Sequence, residues 1–81
     1  MDNYVYILRC NDSSLYTGWT NNLTERVNAH NNGTASKCTR ARLPVELVYS
    51  ELCESKSAAM KREFEIKKFT RAKKEKLIEQ T

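Results

Sequence analysis

One segment near the N-terminus constrains this chain more than any other. Tyr4-Val5-Tyr6-Ile7-Leu8-Arg9-Cys10 is aromatic and β-branched, a composition that suits a pleated strand. Alternation puts Tyr4, Tyr6, Leu8 and Cys10 on one face and Val5, Ile7 and Arg9 on the other, and the segment reads as the central strand of a sheet. Asn11-Asp12-Ser13-Ser14 is turn chemistry, and Leu15-Tyr16-Thr17-Gly18 resumes the extended pattern, which predicts an antiparallel hairpin. Tyr6 and Tyr16 can then share a face.

Thr20, Asn21 and Asn22 are all suitable N-caps for a helix running from Leu23 to about His30, which Asn31-Asn32-Gly33 ends through a left-handed residue. Leu23, Arg26, Val27 and His30 recur at i, i+3, i+4 and i+7, so Arg26 and His30 share its apolar stripe. Thr34 to Arg42 has no clear period and reads as a flexible, donor-rich loop. Pro44 closes it, and Val45 to Ser50 alternates as a third strand with Val45, Leu47 and Tyr49 on one face. Ser55 or Ser57 caps the next helix, to about Lys68, in which Ala59, Met60, Phe64 and Ile66 form an apolar arc with Glu63 inside it. Thr70 starts a short last helix that docks Leu77 and Ile78 and leaves Arg71, Lys73, Lys74 and Lys76 in solvent.

The chain has 81 residues, one domain spanning 1–81, and a fold of that size buries roughly 60–65% of its unfolded surface. Lys and Arg number 14 against 10 acidic residues, a net charge of +4. That balance suits a polyanionic partner and a merely solvated basic surface equally well. Cys10, Cys38 and Cys53 are odd in number and widely spaced, with His30 the sole histidine, so they indicate neither a disulfide framework nor a zinc site. They read as reduced thiols. The N-terminus lacks a basic region followed by an apolar one, and no apolar run approaches a membrane span. The expected location is the cytoplasm.

The polar residues on predicted core-facing positions carry the functional reading. A charged group there costs free energy unless something charged meets it. Glu63 could escape to water at the edge of its arc or pair with a lysine or arginine, but an ion such as Mg²⁺ needs only one or two protein carboxylates and keeps several waters. Arg26 could snorkel, and His30 alone would be a satisfied structural histidine. Together they match phosphate oxygens and a proton relay. Tyr4, Tyr6 and Tyr16 taken singly are ordinary strand residues. Lys37, Thr39, Arg40 and Arg42 in the loop, with Lys67 and Arg71 further on, are the candidate phosphate contacts, and a merely soluble loop is the alternative.

The order of these residues resembles the GIY-YIG nuclease superfamily over nearly the whole chain. Tyr4-Val5-Tyr6 stands for its first motif and Tyr16-Thr17-Gly18 for its second, followed by Arg26, His30 and Glu63. The likeness is to the small stand-alone bacterial branch, whose members resemble Tyr16 to Leu23 and the loop Ala35-Ser36-Lys37-Cys38-Thr39-Arg40. Tyr4 occupies the place of the name-giving glycine, Trp19 that of a lysine or similar polar residue, and Cys38 that of a tyrosine.

The resemblance implies an α/β (α+β) fold of order β-β-α-β-α-α, with a three-stranded antiparallel sheet, its first strand central, flanked by helices. It also implies Mg²⁺- or Mn²⁺-dependent hydrolysis of a DNA phosphodiester. Glu63 would hold the metal, Arg26 would neutralise charge on the phosphoryl oxygens, and Tyr6 or Tyr16, with Tyr6 preferred, would deprotonate water. His30 would hold or pass the proton. The chain has no room for a separate recognition domain, so target choice is expected to rest on DNA shape, single-strandedness, damage or a protein partner. The sequence leaves RNA open as a substrate. The competing readings are a non-catalytic nucleic-acid-binding module and an adaptor with no nucleic-acid partner.

Overall fold

The hairpin forms around a side chain-capped turn. Asp12 Oδ1 accepts hydrogen bonds from the Ser14 amide at 3.0 Å and the Ser14 hydroxyl at 2.6 Å, while Ser13 takes a left-handed φ of 69°. In this computed structural model, which describes residues 2–80, the turn joins strands β1 (Asn3–Arg9) and β2 (Leu15–Thr20). Strand β3 (Glu46–Cys53) pairs with the other edge of β1, so the sheet order is β2-β1-β3, antiparallel throughout. β1 is central, as its composition predicts.

Both faces of β1 are covered. On one side Tyr6, Leu8, Cys10 and Val45 pack with Tyr16, Leu23, Val27 and Leu43, beneath helix α1 (Leu23–Asn31). On the other, Val5, Ile7 and Tyr49 pack with Ala59 and Ile66 of helix α3 (Lys56–Lys67). Helix α4 (Arg71–Glu79) adds Leu77 and Ile78 to that second core. The caps are Asn22, Ser55 and Thr70, whose side chains accept from the amides of Glu25, Ala58 and Lys73.

Three expectations need correction. The segment from Thr34 to Arg42 is not a periodless loop, because Ser36 caps a short helix, α2 (Lys37–Arg40), by accepting from the Cys38 amide at 3.1 Å. β3 runs on to Cys53, and its residues do not keep to one face. The register steps from Ile7↔Tyr49 to Leu8↔Leu47, so Val48 is an extra residue in a bulge, and Tyr49 and Leu47 turn to opposite sides. The apolar arc of α3 is also only half used. Ala59 and Ile66 are fully buried, whereas Met60 is 48% and Phe64 63% exposed. The sheet has three strands, and α3 shares its face with α4, so only the Ala59–Ile66 stripe reaches the strands.

This division of α3 has a measurable consequence. Ile66→Ala should cost about 2–5 kcal/mol in urea denaturation, while Met60→Ala should stay within about 0.5 kcal/mol of wild type. Equal costs for the two would contradict it.

Candidate active site

The C-terminus of α1 sets the position of the chain's single histidine. Gly33 adopts a φ of 78°, its amide donates to the His30 carbonyl at 2.9 Å and the Thr34 amide donates to the Ala29 carbonyl at 3.0 Å. This is a Schellman closure. It ends the helix one residue after His30, at Asn31, and sends the chain back over it. His30 is 1% exposed, and both ring nitrogens are engaged. Nε2 lies 3.0 Å from the Tyr6 hydroxyl and Nδ1 2.8 Å from the Thr39 hydroxyl. Thr39 directs its proton to the Ser36 carbonyl at 3.4 Å, so it accepts from Nδ1–H. Nε2 is then the acceptor for Tyr6 Oη–H. Burial, and then the positive charge of Arg26, hold the His30 pKa below its ordinary value, as suits a neutral imidazole.

Tyr6, Tyr16 and His30 form one aromatic cluster. The Tyr16 and His30 rings meet edge to face at 5.1 Å between centroids, and Tyr6 and His30 at 5.9 Å. Gly18 makes room for it, because a Cβ at that position would lie 2.5 Å from the Tyr6 hydroxyl. Thr17 between them turns to the opposite face, paired with Ile7, and its buried hydroxyl has no hydrogen-bond partner among the described residues. Tyr6 is 2% exposed and Tyr16 half-buried. Burial pushes the Tyr6 phenol well above its ordinary pKa, with Tyr16 and Glu63 adding to the shift and Arg26 opposing it.

The charges of Arg26 on α1 and Glu63 on α3 thus bear on the Tyr6 phenol in opposite senses. Among the described residues Arg26 has no carboxylate partner, although it is half-buried and lines an open recess of about 220 Å³ with Thr20, Asn21, Asn22, Glu25 and Ala29. Glu63 is half-buried and meets only the exposed Lys67, at 3.7 Å. No three His, Cys, Asp or Glu side chains among the described residues cluster as metal ligands. A single half-buried carboxylate fits a hard divalent ion that completes its shell with water.

The candidate phosphate contacts disperse. Lys37 and Arg40 are exposed on α2. Thr39, expected on the loop surface, is fully buried against His30. Arg42 is tied back to the Cys38 carbonyl at 2.9 Å and to Asp12 at 3.0 Å. Arg71 donates to the Ser13 carbonyl at 2.7 Å, against the hairpin turn. Asn31 had read only as a helix stop, yet its side-chain amide clasps Val45, accepting from its N–H at 2.8 Å and donating to its carbonyl at 3.3 Å.

Two outcomes follow for the buried network. In NMR titration His30 should protonate below pH 6.5, and Arg26→Gln should raise that midpoint. Because the folded-state value is the lower one, the unfolded chain takes up the proton first, so folding stability should decline as pH falls through about 6.5. His30→Gln should remove that component; an unchanged pH dependence would overturn the assignment. Gly18→Ala should displace the Tyr6 ring and cost about 1–3 kcal/mol, whereas a neutral effect would show that the ring is not held there.

Comparison with known proteins identifies the family. The family model described as the GIY-YIG catalytic domain matches residues 2–76. A UPF0213 protein of Clostridium perfringens is 62% identical over 76 residues, covering 94% of this chain and 82% of the relative. One from Natronomonas pharaonis is 57% identical over 77 residues, covering 95% and 91%. The solution NMR structure of a UPF0213 protein from Bacillus halodurans superposes with a TM-score of 0.64 at 43% identity, covering 100% of this chain and 86% of that one. The solution structure of a protein from E. faecalis gives 0.66 at 38%, covering 99% and 85%. On this family-model match, these identities and the matching fold, the chain belongs to the GIY-YIG family, a family of nuclease type, among its UPF0213 members.

Proposed function

We propose that this protein is a divalent-metal-dependent DNA endonuclease whose target is chosen by DNA structure more than by base sequence. The observation that carries the reading is the half-buried Arg26, which lines an open recess and has no carboxylate partner among the described residues, on the helix that also supplies His30 to the Tyr6–Tyr16 cluster. Had Arg26 served stability alone, an ion pair would be the expected arrangement for a half-buried guanidinium.

Glu63 is the carboxylate that would hold Mg²⁺ or Mn²⁺, and a bound ion of this kind supplies Lewis-acid charge against the scissile phosphate and the leaving oxygen. Arg26 presents its guanidinium fork to the phosphoryl oxygens, where charge grows as the bond breaks. Tyr16 is a better candidate than Tyr6 to take the proton of the attacking water. Its ring is half-buried and so within reach of substrate, while the Tyr6 hydroxyl is sealed in, held by His30 and raised in pKa. Tyr6, His30 and Thr39 then form a hydrogen-bonded chain that holds the cluster in place. Lys37 and Arg40 are the exposed cations that would contact the DNA backbone, and such contacts position a strand without reading its sequence.

The test is cleavage of end-labelled single-stranded, duplex, flapped and branched DNA with Mg²⁺ or Mn²⁺. Glu63→Gln and Tyr16→Phe should each lower the rate by about 10²–10⁴-fold. Wild-type activity should climb from pH 7 to pH 9, since a phenol accepts a proton as a general base only in its ionised form, which alkaline pH favours. Absence of cleavage, with DNA binding equal in wild type and Glu63→Gln, would replace the nuclease by a binding module that keeps the fold.

A further inference from the structure

Helix α3 carries an exposed apolar face that the folded chain does not use. Met60 and Phe64 lie one turn apart, 48% and 63% exposed, and neither belongs to a core cluster. Surface aromatics of this size are usually drawn into a core when one is within reach. The face is also next to the candidate site. At about 100° per residue, Lys67 falls about 40° round the helix from Glu63, Met60 about 60° and Phe64 about 100°, on the side away from Ala59 and Ile66.

On the arc between Glu63 and Glu65 the charge has one sign. Lys56, Lys67, Lys68 and Lys61 lie on the same arc, at about 20°, 40°, 140° and 160° from Glu63, with no acidic residue between them. Lys68 already holds its ammonium 4.2 Å from the centre of the Phe64 ring. Even so, the ring remains mostly open. Apolar side chains set among cations match a polyanion whose flat apolar faces alternate with charge, which is an unpaired strand of nucleic acid. In a duplex the base faces are hidden by stacking, so the ring would have nothing to meet.

We propose that the Met60–Phe64 face of α3 is a stacking platform for unpaired bases, and that the substrate carries a single-stranded segment beside the bond at Glu63. This rests on the nuclease reading of Glu63 for its position and deepens it by naming the substrate class. A base lies on Phe64, Met60 packs along its edge, and Lys68 moves from the ring to the phosphate that follows. Lys67, released from Glu63 when that carboxylate is engaged, meets the phosphate nearer the site.

The experiment measures binding in EDTA at low salt, so that it is independent of cleavage. Its probes are a fluorescein-labelled oligothymidylate and a duplex of equal length. Phe64→Ala should weaken binding to the single strand by about tenfold and leave duplex binding within about twofold, as expected for loss of one base–aromatic stack. Phe64→Trp should restore it. Phe64 is exposed, so both variants should keep the wild-type circular dichroism and melting temperature. Equal losses for the two probes, or none, would overturn the platform. So would concentration-dependent dimerisation of the DNA-free protein that Phe64→Ala abolishes, because the face would then belong to a second copy. If the protein cuts DNA but Phe64→Ala changes neither probe, the platform alone fails. If it never cuts but shows the selective loss, the nuclease reading alone fails.

Discussion

His30 can be buried because both of its ring nitrogens find a hydroxyl, and those hydroxyls come from two different elements of the fold. Tyr6 belongs to the central strand, and Thr39 to a short helix nine positions after the histidine. An imidazole with one nitrogen unsatisfied would carry the desolvation penalty of a lost hydrogen bond, about 1–3 kcal/mol. The network thus ties sheet, α1 and α2 together at one point. It also sets the tautomer, and with it the direction in which the Tyr6 proton points.

Around that neutral hub the charges are arranged asymmetrically. Elsewhere in the protein, arginines find carboxylates: Arg9 meets Glu75 at 2.8 Å, and Arg62 meets Glu51 at 3.0 Å and also Glu65. Tyr49 joins the second of these clusters by donating to Glu51 at 2.6 Å. Arg26 has no such partner among the described residues. Arg40 shares that lack but is exposed, so Arg26 is the half-buried guanidinium among the described residues that no carboxylate meets.

Much of this was legible in the sequence, for identifiable reasons. The central strand shows in Val5, Tyr6, Ile7 and Leu8 because β-branched and aromatic residues alternate there with nothing to interrupt them. The caps at Asn22, Ser55 and Thr70 show because hydroxyl and amide side chains directly precede the helical pattern. Other features depend on tertiary partners and leave no local period. The Val48 bulge is set by pairing with β1, and simple alternation put Leu47 and Tyr49 on one face. Thr39 read as a phosphate donor because its loop is rich in donors, and its contact with His30 spans nine residues. The exposure of Met60 and Phe64 reflects how little sheet remains for α3 to cover, which a helical wheel cannot record. For Tyr6 and Tyr16, the motif spacing brought the two rings to one face, but only burial distinguishes them.

The Schellman closure at Gly33 has an evolutionary corollary. Surface segments ordinarily absorb insertions and deletions with little penalty. Here the chain leaves α1 at a fixed left-handed turn, must bring Thr39 back to Nδ1 of His30, and is gripped again where Asn31 clasps Val45. Both ends and the middle are anchored to the same helix terminus. Such a segment can vary its exposed side chains, as at Lys37, Cys38 and Arg40, while its length is locked. Diversity among proteins built this way should accumulate here by substitution, and gain or loss of residues should gather in segments free of such anchors.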